Sequence, residues 1–397
     1  MKYILFVLVL GSFLGVSCDS SVGRKIADRQ LRNTIVGDWE RIPIEERIGD
    51  DRPPPPHRWI PDGMTLTKDS LDWYLGFFNE EIDSLSGKVV HGYLGNKLPY
   101  KTVRDSVFVR NPLTGNRLFV GKFLALENDT LSLTTDGTRI LKYRRRAAFV
   151  VATAAFDQVI YSSSGCYGSC PIIDISIDST AAVLFQGQGY VVPLGRYGST
   201  LDARLKNYLF DKFIRAKPEA LADSYQVNHT DDQSITTTFV KGGKIVKTIH
   251  DYGKAAPVEL VWAYASIAHI YRTTPLTRLA EADEPFYPKH DTFTFVGSAF
   301  LLPLQKSESF FLWTELRKAA KTNATFEPKY SLQFTPNYTY WGPDPKEERA
   351  VLSRIKSIAT DGQRFAFNFE GGASITYDLG YDFIRRNFEG INYYTID

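Results

Sequence analysis

Apolar and polar positions alternate with a period near two along most of the first third of the chain. Runs such as "GMTLTKDSLDWYLGFF", "GKVVHGYLG", "KTVRDSVFVR", "NRLFVGKFLALEND", "DTLSLTTDG" and "TRILKYRRR" read as short strands, because successive side chains of a strand point to opposite faces. Turn pairs such as Asn128-Asp129 and Asp136-Gly137 separate them. Many short strands at this spacing predict a small all-β sandwich or barrel over residues 34–147.

Further along, the period switches between two and about four. "DQVIYSSS" predicts a strand, and "IIDISID" with "AAVLFQGQG" a hairpin across Asp178, Ser179 and Thr180. "STLDARLKNYLFDKFIRAKP" predicts a helix. Leu201, Leu205, Leu209 and Phe213 recur at four-residue steps on one face, Ser199 is placed to cap it with Asp202 three residues on, and Pro218 lies just past its end. "SITTTFV" and "KIVKTIH" flank Gly242-Gly243, a two-residue hairpin signal. "PVELVWAYASIAHIYR" predicts a closing helix with Pro257 in its first turn. The order strand, hairpin, helix, hairpin, helix predicts an α+β unit over residues 156–272, its helices covering one face of an antiparallel sheet.

A turn-rich linker from about residue 276 leads to a second α+β module over residues 290–397. "ESFFLWTELRKAAK" and "DPKEERAVLSRIKS" predict helices, the second capped by Asp344. "KYSLQFTPNYTYWG" predicts a strand pair, and "QRFAFNF" and "ASITYDL" flank a second Gly-Gly turn, Gly371-Gly372. The helix and Gly-Gly hairpin loosely echo the preceding module, as a diverged internal repeat would. The expected fold is therefore multidomain and β-rich, an all-β domain followed by α+β modules with antiparallel sheets.

Composition narrows the function. At 397 residues the chain is long enough for two or three domains. Its net charge of +2 comes from interspersed acids and bases, which argues against nucleic acid as a partner. Two methionines and 22 tyrosines suit rigid, strand-rich surfaces.

The amino terminus changes the picture more. "MKYILFVLVLGSFLGVSC" has a basic start at Lys2, an apolar run too short to span a bilayer, and small residues before Cys18, the pattern of a secretory signal peptide. Residues 1–17 are read as that peptide and residues 18–33 as a polar tether. Leu14-Gly15-Val16-Ser17-Cys18 resembles the lipobox of bacterial lipoproteins, with Gly15 where that family has a Leu-like residue. The resemblance implies that Cys18 becomes the acylated amino terminus and anchors the protein to a membrane. The alternative is ordinary cleavage near Ser17, leaving a terminal thiol. Either way the chain is expected to be exported to the cell envelope.

Two further resemblances follow from quoted residues. "IVGDW" and "LENDTLSL…ILKYRR", within residues 34–146, resemble lipocalin-like domains of exported bacterial lipoproteins. That implies a barrel which holds a small apolar ligand or is filled by its own side chains. "GCYGSCP" (Gly165 to Pro171), "HTDDQSITTTF" (His229 to Phe239) and "HDYGKAAPVEL" (His250 to Leu260) resemble an uncharacterised domain of exported lipoproteins of Bacteroidota, which implies a relative and no activity.

Cys166 and Cys170 admit three readings. An oxidising envelope favours a structural disulfide, the flanking Gly165 and Gly168 allow a tight loop, and so short a loop contributes about 2 kcal/mol. A redox pair normally has its attacking cysteine at a helix amino terminus, whereas "IIDISID" after Pro171 alternates as a strand. In the metal reading, Cys-x3-Cys-Pro resembles the copper site of a family of thioredoxin-like copper chaperones, which also use a following helix and a distant histidine. Zinc would need further ligands such as His229 or His250. The disulfide is the expected state.

Other constellations have bland readings beside the chemical ones. His229, Asp231 and Asp232 combine acid–base and metal-ligand types, yet Asp before a strand usually makes turns. His250-Asp251 ends a hairpin and reads as a turn, and His269 lies near Trp262 on the last helix, packed or half-exposed rather than catalytic. "YSSSG" (Tyr161 to Gly165) lacks the first glycine of a nucleophile elbow. "RPPPPH" (Arg52 to His57) reads as a stiff loop, "KYRRR" (Lys142 to Arg146) as a solvated strand end, and "NYTYW" (Asn337 to Trp341) as cross-strand packing rather than a sugar-stacking face. These patterns lead to the expectation of a noncatalytic envelope lipoprotein without a cofactor, binding or scaffolding an envelope protein, a glycan or a small molecule. The alternatives are thiol or copper handling at Cys166 and Cys170, and carriage of an apolar ligand by the first domain.

Overall fold

A computed structural model of the chain describes residues 34–43, 62–82, 89–149, 153–280, 285–288, 291–334 and 355–390. Cys18 and the whole signal-peptide and tether reading lie outside them, as do "RPPPPH" and "NYTYW". Within these residues two compact units emerge, one from 34–42, 64–72 and 97–146, the other from 43, 62–63, 73–82, 89–96 and the described residues from 147 onward.

The alternating amino-terminal runs form a closed eight-stranded barrel. Its strands are β1 (Gly37–Arg41), β2 (Gly63–Leu66), β3 (Ser70–Ile82), β4 (Val89–Val103), β5 (Ser106–Arg110), β6 (Arg117–Glu127), β7 (Thr130–Thr134) and β8 (Ile140–Arg145). The alternation places Trp39, Leu66, Val107, Val109, Leu131, Leu133, Leu141 and Tyr143 among the buried positions, as the inner face of a small barrel requires. Asn128 and Asp129 both take positive φ, 48° and 59°, the geometry of a tight hairpin turn. β1 closes on β8 with Trp39 opposite Arg145. The basic run is not a merely solvated strand end. The Arg145 guanidinium lies 4.2 Å from the Trp39 ring centroid, donates to Val36 O at 2.7 Å and Thr34 O at 3.2 Å, and meets Asp129 at 3.0 Å.

The second sheet has eight strands in the order β13-β15-β14-β9-β10-β11-β12-β16. They are β9 (Gln158–Ser163), β10 (Ile172–Asp178), β11 (Ala182–Gly189), β12 (Gly195–Thr200), β13 (Ser224–Gln226), β14 (Ser234–Lys241), β15 (Lys244–Tyr252) and β16 (Thr277–Arg278). Helix α1 (Ala203–Ala216) follows β12, and α2 (Val258–Ile267) follows β15. Gly242 and Gly243 make the expected turn with φ of 55° and 71°. The predicted cap at Ser199 is not observed. Residues 195–200 pair with β11 instead, and Asp202 caps α1 by accepting from Leu205 N at 2.8 Å. Pro257 is the N-cap of α2 rather than part of its first turn.

On one face of this sheet Val159, Tyr161, Ile173, Ile175, Phe185 and Phe239 pack with Leu209 and Phe213 of α1 and Leu260 and Tyr264 of α2. The expectation of a single covered face fails at β9, all six of whose residues are buried. Its other face, with Ile160, belongs to a second core shared with the carboxy-terminal elements.

Those elements are β17 (Thr294–Gly297), β18 (Phe300–Pro303), α3 (Lys306–Lys318), β19 (Ala320–Thr322), β20 (Tyr330–Gln333), β21 (Ile355–Thr360), β22 (Arg364–Phe369), β23 (Ser374–Asp378) and α4 (Phe383–Phe388). The strands form a seven-stranded sheet, β18-β17-β20-β21-β22-β23-β19. Phe310, Phe311 and Leu316 of α3 pack with Phe295, Phe365 and Phe367 of this sheet and with Ile160 and Val240 of the preceding one. Ser307 N donates to Thr236 Oγ1 at 3.0 Å, so α3 is also tied to β14 by hydrogen bonds. Residues 355–357, expected within a helix, begin β21; the rest of that expected helix, 344–354, lies outside the described residues.

Candidate functional site

The register of the second sheet brings four connections to one end. β9 and β10 pair from Ser163 opposite Ile173, which places loop 164–171 there. β10 and β11 pair with Ile172 opposite Gly189, so loop 190–194 lies beside it. β14 begins opposite the end of β15, Ser234 against Tyr252, which adds loops 228–233 and 253–257. The three sequence motifs are thus neighbours in space although far apart in the chain.

Hydrogen bonds knit this end together. Ser164 N donates to Ser234 O at 2.9 Å, and Ser234 N donates to Ser164 Oγ at 2.9 Å. The Gln233 amide donates to both Ser164 O and Pro171 O, each at 2.9 Å, and Ser163 Oγ donates to Pro171 O at 2.8 Å. The serines of "YSSSG" therefore close the base of a loop rather than present a nucleophile. Asp232 N donates to the Tyr252 hydroxyl at 3.0 Å, and Gly253 N to Gln233 O at 3.1 Å.

Above that base, Cys166 and Cys170 stand at disulfide distance, with sulfurs 1.92 Å and Cα atoms 5.6 Å apart. Their Cα separation lies in the range a bridge spans without moving the backbone. The ring leaves Tyr167 89 % exposed. Tyr190, Val192 and Leu194 are exposed on the adjacent loop, Val192 at 86 %. That loop approaches the sheet closely. A Cβ on Gly187 would collide with Pro193 O, so glycine is required there by space and not by φ.

The remaining candidates separate into turns and packing. His229 Nε2 lies 3.3 Å from Asp232 Oδ2, while Asp231 takes φ of 73° and offers its carbonyl to Tyr167 N at 3.0 Å. Asp251 is buried and ties a turn to a helix, accepting from Ala256 N at 3.1 Å and from the Tyr264 hydroxyl at 2.9 Å. Burial pushes its pKa up. Burial lowers His250, and it lowers His269 to about 4, aided by Arg272 and Lys254. Among the described residues no group of three or more His, Cys, Asp or Glu side chains is placed to hold a metal ion.

Behind the loop base sits a charge pair that pattern reading did not find. Lys306, the first residue of α3, places its ammonium 3.1 Å from Asp174 Oδ1 and 2.9 Å from Ser163 O. Gln188 Nε2 donates to Asp174 Oδ2 at 2.7 Å. Tyr287 is buried beside them, and burial together with the Asp174 charge holds its hydroxyl well above the usual phenol range. The one sequence signal was Asp174 itself, an acid inside the apolar run "IIDISI".

Fold and site together define a β-rich chain in which a closed barrel precedes an α+β sheet with an elaborated loop end. Residues 157–271 match a family model described as a domain of unknown function (DUF6438), a segment that contains all three motifs and covers less than a third of the chain. The chain has no match among curated proteins and none among solved structures.

Proposed function

We propose that this chain is a noncatalytic lipoprotein of the bacterial cell envelope, anchored through acyl groups on Cys18, which binds or scaffolds an envelope partner through the loop end of its second sheet. Tyr167 carries the binding role. It is 89 % exposed on a short closed loop whose base is fixed by the Ser163, Ser164 and Gln233 hydrogen bonds. A tyrosine held this way supplies contact area at little conformational cost, and tyrosines are over-represented among residues that dominate interfaces. Val192 extends the apolar surface from the neighbouring loop. The anchor is supported by Lys2, the apolar run and the small residues before Cys18.

A photo-crosslinking residue at position 167 of the full chain, in cells, should give discrete adducts that the same residue at Thr138 on the barrel does not. Intact mass should show an acylated Cys18 as the new amino terminus. Equal labelling at both positions would remove the binding role, and an unprocessed or unacylated terminus would remove the anchor.

A second reading, thiol chemistry at Cys166 and Cys170, is favoured by the exposure of Tyr167, Gly168 and Ser169 between them. An incoming thiolate has access to a pair placed in this way.

A further inference from the structure

We propose that the Cys166–Cys170 ring is a thiol–disulfide exchange site whose opening releases the Tyr167–Asp231 contact at the loop tip and leaves the sheet intact. This inference deepens the thiol reading and rests on it; it is independent of the anchor.

The argument lies in which bonds depend on the ring. The two strand ends beneath it are held without sulfur. Ser164 and Ser234 exchange bonds, the Gln233 amide bridges Ser164 O and Pro171 O, and Ser163 Oγ reaches Pro171 O. β9 and β10 pair directly beyond that point. Opening the ring removes none of these contacts.

The tip is different. Gly168 N donates to Cys166 O at 2.8 Å inside the ring, and Tyr167 N donates outward to Asp231 O at 3.0 Å. Gly168 holds φ of 145°, and Asp231 holds φ of 73°, a region that non-glycine residues enter seldom. With the ring open, residues 166–170 gain the freedom that Gly168 and the loss of the cross-link allow. Tyr167 N is then no longer held against Asp231. Asp231 loses the contact that steadies its left-handed backbone, and the neighbouring approach of His229 to Asp232 at 3.3 Å loosens with it.

The reaction partner is a dithiol reductant. One of its thiolates attacks a ring sulfur, the Cys166–Cys170 bond breaks, and the other cysteine leaves as a thiolate and takes up a proton. The second thiol of the reductant, losing its proton, then attacks the mixed disulfide, closes its own disulfide and frees the remaining cysteine. Two electrons pass to the ring, and the reductant is oxidised by the same two.

The test uses the folded full chain with dithiothreitol, reading ring state by alkylation and mass and local opening by amide hydrogen exchange. The ring should reduce without denaturant. Exchange at the Tyr167 amide should quicken on the order of tenfold, the scale of the one hydrogen bond lost to Asp231 O. Amides of β9, β10 and β14 should keep their protection. A ring that resists reduction until the chain is denatured overturns both the thiol reading and this inference. Reduction with no change in Tyr167 exchange overturns the inference alone. Loss of protection throughout the sheet also overturns it and makes the bridge a staple for the whole fold. The Cys166→Ser, Cys170→Ser double variant should reproduce the fast Tyr167 exchange without reductant, and a protected Tyr167 amide in that variant overturns the inference as well.

Discussion

Lys306 Nζ lies 3.1 Å from Asp174 Oδ1, and the Asp174 side chain has no exposure to solvent while that of Lys306 has 12 %. The pair joins the first residue of α3 to the middle strands of the preceding sheet. Burial dominates both partners, pushing Asp174 up and Lys306 down, and each is drawn back by the other. Such a pair is costly to desolvate but far more costly to break on one side.

Lys306→Met is therefore expected to destabilise the chain by about 3–5 kcal/mol, because it strands the Asp174 carboxylate. The double variant Lys306→Met, Asp174→Asn should recover much of that loss. Urea unfolding of the parent, the singles and the double completes the cycle. Equal losses in the single and the double would show that the two charges are not coupled.

His269 predicts an acid limb. Its folded pKa of about 4 lies below the ordinary imidazole value of 6.5, so the unfolded chain binds the proton more tightly. The associated stability is present above about pH 6.5 and is lost as pH falls towards 4, by up to about 3 kcal/mol. Asp174 and Asp251, both raised, act in the opposite sense, their contribution being greatest in acid and lost as pH rises. The informative comparison is His269→Phe against the parent between pH 7 and pH 4.5. The variant should show the flatter loss of urea midpoint.

The cap of α1 is a local test of the corrected helix start. Asp202→Ala removes the acceptor for Leu205 N and should cost about 1 kcal/mol. Ser199→Ala leaves the helix start untouched, so its urea midpoint should not show a capping loss.

Tyr167 and Gln233 should separate recognition from architecture. Tyr167→Ala removes an exposed ring and should change stability by less than about 0.5 kcal/mol. Gln233→Ala removes the donor to Ser164 O and leaves Pro171 O with Ser163 Oγ alone, and should cost about 1–3 kcal/mol. Thermal unfolding measures both. A large loss in Tyr167→Ala would mean that the ring packs rather than projects.

Much of the secondary structure was legible because its signals are local. Alternation marked the barrel strands, paired positive-φ positions marked Asn128-Asp129 and Gly242-Gly243, and four-residue spacing put Leu209 and Phe213 on the buried face of α1. The start of α1 was misplaced because Ser199 and Asp202 are both good caps. What separates them is the pairing of residues 195–200 with β11, and pairing is not a local property. The three motifs showed that residues 165–171, 229–239 and 250–260 carry something particular. They did not show that Gln233 closes the base of the cysteine loop.

The sequence by itself determined the strand-rich architecture, the turn positions and the chemistry available, because backbone φ preferences and side-chain period act over a few residues. Only the tertiary structure decided which residues meet. Strand order set Ser163, Pro171 and Gln233 at one end of a sheet. Burial of the sheet's second face carried Lys306 to Asp174, since a charge pair in a dry interior forms only where packing has already excluded water.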